Sequence, residues 1–459
     1  MAPPEHAPAP GRIERRARRR RGLRVVGGLL LAGAALMAAG IAWLGSESAL
    51  RWALEQAGEA TGGRLIVESP RGSVLEARAA RIVWHDGPLT VSVDDAVLDI
   101  DARALWLGRV RLRELSATRV EVITEPSDTP ASMPASLALP VRFELGDARV
   151  DELVIRQTGS DTPLRLTDLR AVGRYAGGTW SIDTLAVRGP FGAVQAGGRI
   201  AASAPFALDA RALLETRALD EAIAVDATAT GDLGALTVDA RTVLHDASAS
   251  ARVRLAPFAT QPVQGAVVNV GALDLSRFER TLPATRLEGR LAFDTLAAPP
   301  VSAGRPAPSG PVPPMAGTLS LRNTRAGAID AGLLPAESIA SRFVFDGARL
   351  RLDELAIAGP PGRLAGSASI DLPGGVLPAS GRLPPVALRL STPGLDLRRV
   401  HGALRETALS GEVNVVPERG GLGFDARLVD AALGLALDAR ARLDETLITV
   451  ERARLQARD

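Results

Sequence analysis

The chain contains no cysteine and no lysine, and aromatic residues make up only 3% of it. Without cysteine there are no disulfides, no thiolate metal sites and no Cys nucleophiles. With so few rings, any core must be built from Leu, Val, Ile and Ala. Histidine is scarce as well. His6, His85, His245 and His401 lie far apart, none with the i, i+4 spacing of a zinc-binding helix. No nucleophile elbow, phosphate loop or dinucleotide fingerprint occurs. Gly420–Leu428 fits the calcium nonapeptide G-G-x-G-x-D-x-U-x, but such sites need stacked copies and only one is present, so a hairpin turn is expected there. The acidic pairs Asp94-Asp95 and Asp99/Asp101 fall on the polar face of strands and read as solvated charge. The sequence therefore names no catalytic residue, metal ligand or cofactor site, and points away from an enzyme.

Charge is absent from one long stretch. Val25–Leu44 is twenty residues without an ionisable group, the length of a transmembrane helix. It is rich in Ala and Gly. Before it, residues 1–24 hold eight Arg against two Glu, a net of +6 in a chain of net +2, which leaves −4 to the remainder. Arg24 flanks the near side, and Trp43 and Trp52 the far side, where indoles favour the membrane interface. The positive-inside rule keeps the N-terminus cytoplasmic and places the rest across the membrane. A cleaved signal peptide is the competing reading, although its apolar core usually runs to only ~7–15 residues. The faintly acidic remainder is no nucleic-acid binder.

Beyond the span, residues 45–63 read as an amphipathic connecting helix. Leu50, Ala53, Leu54 and Ala57 follow helical spacing, Ser46 or Ser48 caps the start, and Gly62-Gly63 stops it. From Arg64 the period becomes two. Val91 and Val93, Leu98 and Ile100, Val110 and Leu112, and Val120 and Val122 each alternate with polar neighbours. The same pattern recurs to the end of the chain. Short helices are expected near Ala212–Ala222 and Leu273–Leu282. Two Pro-rich stretches, 125–140 and 297–317, read as exposed loops. They divide the chain into a β-module at 64–124 and repetitive β-segments at 141–296 and 318–459.

One repeat is explicit. Ile182-Asp183-Thr184-Leu185-Ala186-Val187-Arg188-Gly189-Pro190 matches Leu352-Asp353-Glu354-Leu355-Ala356-Ile357-Ala358-Gly359-Pro360, as strand, Gly-Pro turn and strand. A further copy beginning at Val450 is cut short, as if the chain continued. Repeated hairpins imply a long antiparallel sheet with one apolar face. More than 20 strands would extend roughly 100 Å at ~4.8 Å per strand. The apolar face can be covered by pairing sheets into serial β-sandwiches, by closing a barrel, or by curling into a trough. Alternation is common to all three, and on that ground alone the sandwich comes first.

The segment Leu44-Gly45-Ser46-Glu47-Ser48-Ala49-Leu50-Arg51-Trp52 resembles the region after the anchor in the TamB family of AsmA-like envelope proteins. So do Arg71–Leu75, Arg81–Trp84, Val91–Val93, Leu105–Val110 and Val120–Val122 before the Pro-rich loop. The resemblance implies a single-pass protein of the bacterial inner membrane whose bulk crosses the periplasm as a β-sheet curled around an apolar groove. It implies phospholipid as cargo and an Omp85-type outer-membrane barrel, TamA, as partner in outer-membrane protein assembly. Val91, Val93, Leu98, Ile100, Val110, Leu112, Val120 and Val122 are then the groove-lining candidates, and Arg24, Trp43 and Trp52 the membrane-interface residues. A structural scaffold for barrel insertion, without lipid conduction, is the alternative.

Overall fold

A computed structural model describes residues 43–125, 133–159, 163–218, 221–244, 246–259, 261–277, 282–296, 313–372, 385–418, 421–444 and 447–457. The proposed span Val25–Leu44, apart from Trp43 and Leu44, lies outside these residues. So do Arg24, His6, His245, residues 126–132 of the first Pro-rich stretch and residues 297–312 of the second. No helix among the described residues is long and apolar enough to cross a membrane.

The chain folds as two compact units. The first, residues 1–126 and 139–177, opens with helix α1 (Glu47–Ala60). Ala49 N–H donates to the Ser46 Oγ cap at 3.3 Å, and Gly62 and Gly63 at positive φ end the helix, as the sequence leads one to expect. Strands β1 (Leu65–Glu68), β2 (Arg71–Gly72), β3 (Glu76–Asp86), β4 (Leu89–Ile100) and β5 (Arg109–Thr124) follow, with the short helix α2 (Ala102–Trp106) before β5. Strands β6 (Arg142–Gln157) and β7 (Leu164–Ala176) complete the unit. β1 and β2 both pair with β3, and β3 to β7 pair in order.

The β5–β6 pairing is parallel, which corrects the expectation of an antiparallel sheet throughout. A parallel neighbour requires a connection long enough to return the length of a strand. The first Pro-rich stretch supplies that length.

The second unit, residues 127–138 and 178–459, contains β8 (Thr179–Gly189), β9 (Gly192–Ala201), β10 (Leu208–Ala218), β11 (Glu221–Gly231), β12 (Leu236–Leu244) and β13 (Ala247–Leu255). It continues with β14 (Val263–Leu273), β15 (Leu287–Thr295), β16 (Met315–Asn323), β17 (Ser338–Phe345), β18 (Arg349–Gly359) and β19 (Gly362–Asp371). After β20 (Val386–Leu395) comes helix α3 (Leu397–Val400), then β21 (Leu409–Glu418), β22 (Gly421–Asp430), β23 (Leu435–Asp444) and β24 (Leu447–Ala457). Each strand pairs antiparallel with its neighbours in sequence. The order continues unbroken to β24. Among the described residues no pairing joins β8 to β24, so this sheet is open.

Several expectations are corrected here. The described residues of Ala212–Ala222 are strand, the end of β10 and the start of β11: Leu208, Ala210, Ala212 and Leu214 face one way while β9 and β11 hydrogen-bond both edges of β10, which overrides the helical propensity of Ala-Leu-Leu-Glu. Among the described residues of Leu273–Leu282 only Leu275–Arg277 is helical, as one 3-10 turn. β16 begins at Met315, inside the stretch assigned to the second Pro-rich loop. Gly421–Asp430 is strand β22 rather than a turn, with Asp425 paired to Asn414 and Arg440.

The repeat found in the sequence is a bulged hairpin. In β8, Asp183-Thr184 stand opposite the single residue Gly197, between the pairs Ile182–Gly198 and Leu185–Ala196. In β18, Asp353-Glu354 stand opposite Ser367, between Leu352–Ala368 and Leu355–Gly366. An extra residue shifts the phase of a period-two pattern by one, so Leu352 and Leu355, three apart, can share a face. Gly192 and Gly362, at φ 119° and 134°, open the return strands.

Candidate functional site

In the second unit the strand registers align one residue per strand into a single row. It runs Ile182, Gly198, Ala210, Ala229, Val238, Val253, Ala266 and Phe293. It continues Gly317, Phe343, Leu352, Ala368, Leu388, Val415, Phe424, Ala441 and Val450. Seventeen strands contribute and none supplies a polar side chain. The adjacent row, on the opposite face, begins Ser181, Arg199, Asp209, Thr230, Thr237 and Arg254.

Nothing among the described residues covers the apolar row. Ala266 and Val415 are buried, Ile182 and Val450 are exposed, and the residues between are half-buried. Side chains between two packed sheets would be buried throughout. The sandwich alternative is therefore not formed in this unit: its strands make one sheet with one uncovered apolar side. On that side Leu291, Phe293, Met315, Leu319, Phe343, Phe345, Leu350, Leu352 and Leu372 line an open hollow of about 360 Å³. Phe293 and Phe343 meet edge to face across it, centroids 6.3 Å apart. The lining carries no ionisable group.

One margin of this sheet is built by a recurring turn. At the end of β14, the Asp274 carboxylate accepts from Ser276 Oγ at 2.8 Å and from the N–H groups of Thr285 and Ser276 at 3.0 and 3.2 Å. Thr285 Oγ1 accepts from Leu275 N–H and donates to Leu273 O. At the end of β20, Asp396 accepts from the N–H groups of Arg398 and Thr407, and Thr407 Oγ1 accepts from Leu397 N–H and donates to Leu395 O. Asn323, at the end of β16, accepts from Arg286 and Arg325 N–H. Strands β14, β16 and β20 run the same way, so the three turns share a side. They also touch: Ala284 N–H donates to Gly332 O at 2.8 Å, and Gly402 N–H to Asp330 Oδ1 at 3.0 Å.

Burial would push the Asp274 carboxyl up, but the N–H and O–H donors outweigh it and hold it below the usual carboxylate range. Asp430, buried at the end of β22, is likewise held down by the N–H groups of Ala408, Leu433 and Ala432. These are structural carboxylates, saturated by backbone donors.

In the first unit, Val91 pairs with Val122 and Val93 with Val120, and the row extends to Ile82 and Trp84 on β3 and to Leu153 and Ile155 on β6. Ile100 pairs with Leu112, Leu98 with Leu115, and Val110 with Phe143. The eight candidates thus form two neighbouring apolar clusters on β4 and β5. Between them Asp95 sits at φ 52°, and Asp168 on β7 at φ 54°. The candidates missing from the sequence reading are those of β14 to β18. Their alternation was visible, but no single strand showed that the rows align.

The polar face is a lattice of exposed ion pairs. Arg113 Nη2 reaches Asp99 Oδ1 at 2.7 Å, Arg119 reaches Glu152 at 3.1 Å, and Arg252 reaches Asp239 at 2.7 Å. Screened by water and salt, each adds little to stability. His85 Nδ1 lies 3.1 Å from Thr90 Oγ1 and His401 Nδ1 accepts from Ala403 N–H. Among the described residues no three acidic or histidine side chains converge as metal ligands would. Trp43 and Trp52, with ring centroids 5.4 Å apart, are both exposed. No protein-family model, curated protein or solved structure matches the chain.

Proposed function

We propose that the chain is an inner-membrane-tethered bridge that carries phospholipid between the two membranes of a bacterial envelope, along an apolar β-groove and without chemistry of its own. The observation that carries this reading is the uncovered row from Ile182 to Val450. An apolar surface continued across so many strands is costly to leave in water. It suits a ligand that is itself long, apolar and without specific polar contacts. Acyl chains meet that description, and the hollow around Phe343 is lined by apolar side chains alone. Headgroups stay in water above the margins. The uncharged run Val25–Leu44 and the TamB-like segments supply the tether and the envelope setting, and with them the role beside a TamA-like barrel in outer-membrane assembly.

The test is mass spectrometry of whatever accompanies the full chain purified in mild detergent, together with photo-crosslinking from Phe343 and Leu319. Phospholipid crosslinked at both positions supports conduction. Crosslinks confined to nascent barrel strands overturn it and favour the scaffold, in which a sheet edge pairs with client strands.

A further inference from the structure

The chain has five tryptophans. Trp84 and Trp180 are half-buried on the apolar faces. The other three, Trp43, Trp52 and Trp106, are 44%, 51% and 43% exposed, and Leu107 beside Trp106 is 70% exposed. All four lie at one end of the first unit. Val74 N–H donates to Leu44 O at 3.1 Å, and Ile100 N–H to Leu75 O at 2.7 Å, so the entry to α1 and the end of β4 meet there. Asp101 follows Ile100 and caps α2, its carboxylate accepting from Arg103 N–H at 2.9 Å. Within the helix Ala104 is buried, and Gly108 at φ 65° turns the chain back into β5. Trp106 and Leu107 are therefore held outward by a capped turn.

We propose that Trp106 and Leu107 form a second membrane contact, beside Trp43 and Trp52, that seats this end of the first unit in the headgroup layer of the bilayer. The inference rests on the reading of Val25–Leu44 as the tether. That run ends at Leu44, the residue whose carbonyl binds Val74, so a spanning segment delivers this end to the membrane surface. Indoles partition to that layer because the ring is apolar and its N–H is polar. A single tether leaves the unit free to swivel about one connection. A second contact fixes its tilt and holds the apolar rows of β4 and β5 against the leaflet that would supply lipid.

The absence of cysteine makes the test direct. Leu107→Cys in the full chain takes one environment-sensitive fluorophore with no background labelling. Val243→Cys, replacing a residue 72% exposed on β12 of the second unit, is the control. Both are reconstituted into vesicles of phosphatidylethanolamine and phosphatidylglycerol with or without a lipid spin-labelled near the headgroup. The expected result is blue-shifted emission and quenching by the spin-labelled lipid at position 107, with quenching by aqueous iodide only at position 243. Iodide quenching at 107, in chains that resist alkaline extraction, overturns the second contact and leaves the tether standing. Extraction of the chain by alkali overturns both. Self-quenching of the label at 107 that falls on dilution with unlabelled chain overturns the proposal in favour of a second copy.

Discussion

Leu319→Asp separates a groove that carries lipid from a sheet that merely happens to be apolar on one side. Leu319 is half-buried on β16, within the hollow and in register with Leu291, while Thr318 and Ser320 on either side are exposed on the opposite face. Burying a leucine fully contributes about 1.5–3 kcal/mol, so losing a half-buried one costs about 1 kcal/mol. With the groove empty, an aspartate there stays in contact with water and adds little to that. With an acyl chain passing, the carboxylate must be stripped of water without a cationic partner, at several kcal/mol. Taking about 3 kcal/mol of it at the barrier gives about 100-fold slower passage, since 1.4 kcal/mol is tenfold. The assay is transfer of a fluorescent phospholipid from vesicles bearing the full chain to protein-free acceptors, with a denaturant titration to record the folding cost. Thr318→Asp places the same charge one residue away on the polar face, and its transfer rate should stay within about twofold of the unmodified chain. Unimpaired transfer by Leu319→Asp, or equal loss with Thr318→Asp, refutes the argument.

In the first unit, Val91→Asp and Val120→Asp should each slow the same transfer far more than they lower stability; a variant that retains full transfer removes that residue from the groove. Thr407→Val deletes the hydroxyl that bridges Leu397 N–H and Leu395 O, so it should cost about 1 kcal/mol and speed amide exchange at Leu397 above its neighbours. A Cβ at Gly366 would run into the Arg389 carbonyl oxygen across the β19–β20 ladder, so Gly366→Val should destabilise by more than about 2 kcal/mol in denaturant melts, and a smaller loss would show that the strands can part. The folded-state values of Asp274, Asp330, Asp346 and Asp430 are all lowered. Their contribution is therefore present above the unfolded carboxyl value of about 3.9 and is lost as pH falls through the lower folded values. Thermal melts should show stability declining below about pH 4, with a shallower decline in Asp430→Asn.

Much of the fold could be read from alternation, because a strand with one wet face writes its burial directly into a period of two. The capped helix α1 could be read from Ser46 and Gly62-Gly63 for equally local reasons. What local pattern cannot carry is the partner. Val91 and Val93 alternate identically whether or not a second sheet faces them, and only their burial distinguishes the two cases. The parallel β5–β6 pairing depends on where a long loop returns, which no residue of either strand encodes. The Asp183-Thr184 and Asp353-Glu354 bulges were present in the repeat as a slip from Ile182 to Leu185 and from Leu352 to Leu355. They read as repetition rather than geometry because the opposing residues, Gly197 and Ser367, lie on other strands. The Asp274–Thr285 and Asp396–Thr407 turns share a spacing of eleven residues. That signal was available as a second repeat, but so few identities separate poorly from chance.

The strictly sequential pairing from β8 to β24 bears on how such a sheet comes into being. Every hydrogen-bonded ladder closes between segments that are neighbours in the chain, so forming one hairpin places the edge for the next and no strand waits for a distant partner. Loop closure is then a small entropic step repeated many times, and order can spread along the sheet from one ladder to the next. Stability becomes a sum over adjacent ladders, as in other linear arrays, and a local defect stays local. The length of the sheet is likewise free to vary: a hairpin inserted or removed changes how far it reaches while leaving every other ladder with the partners it already had.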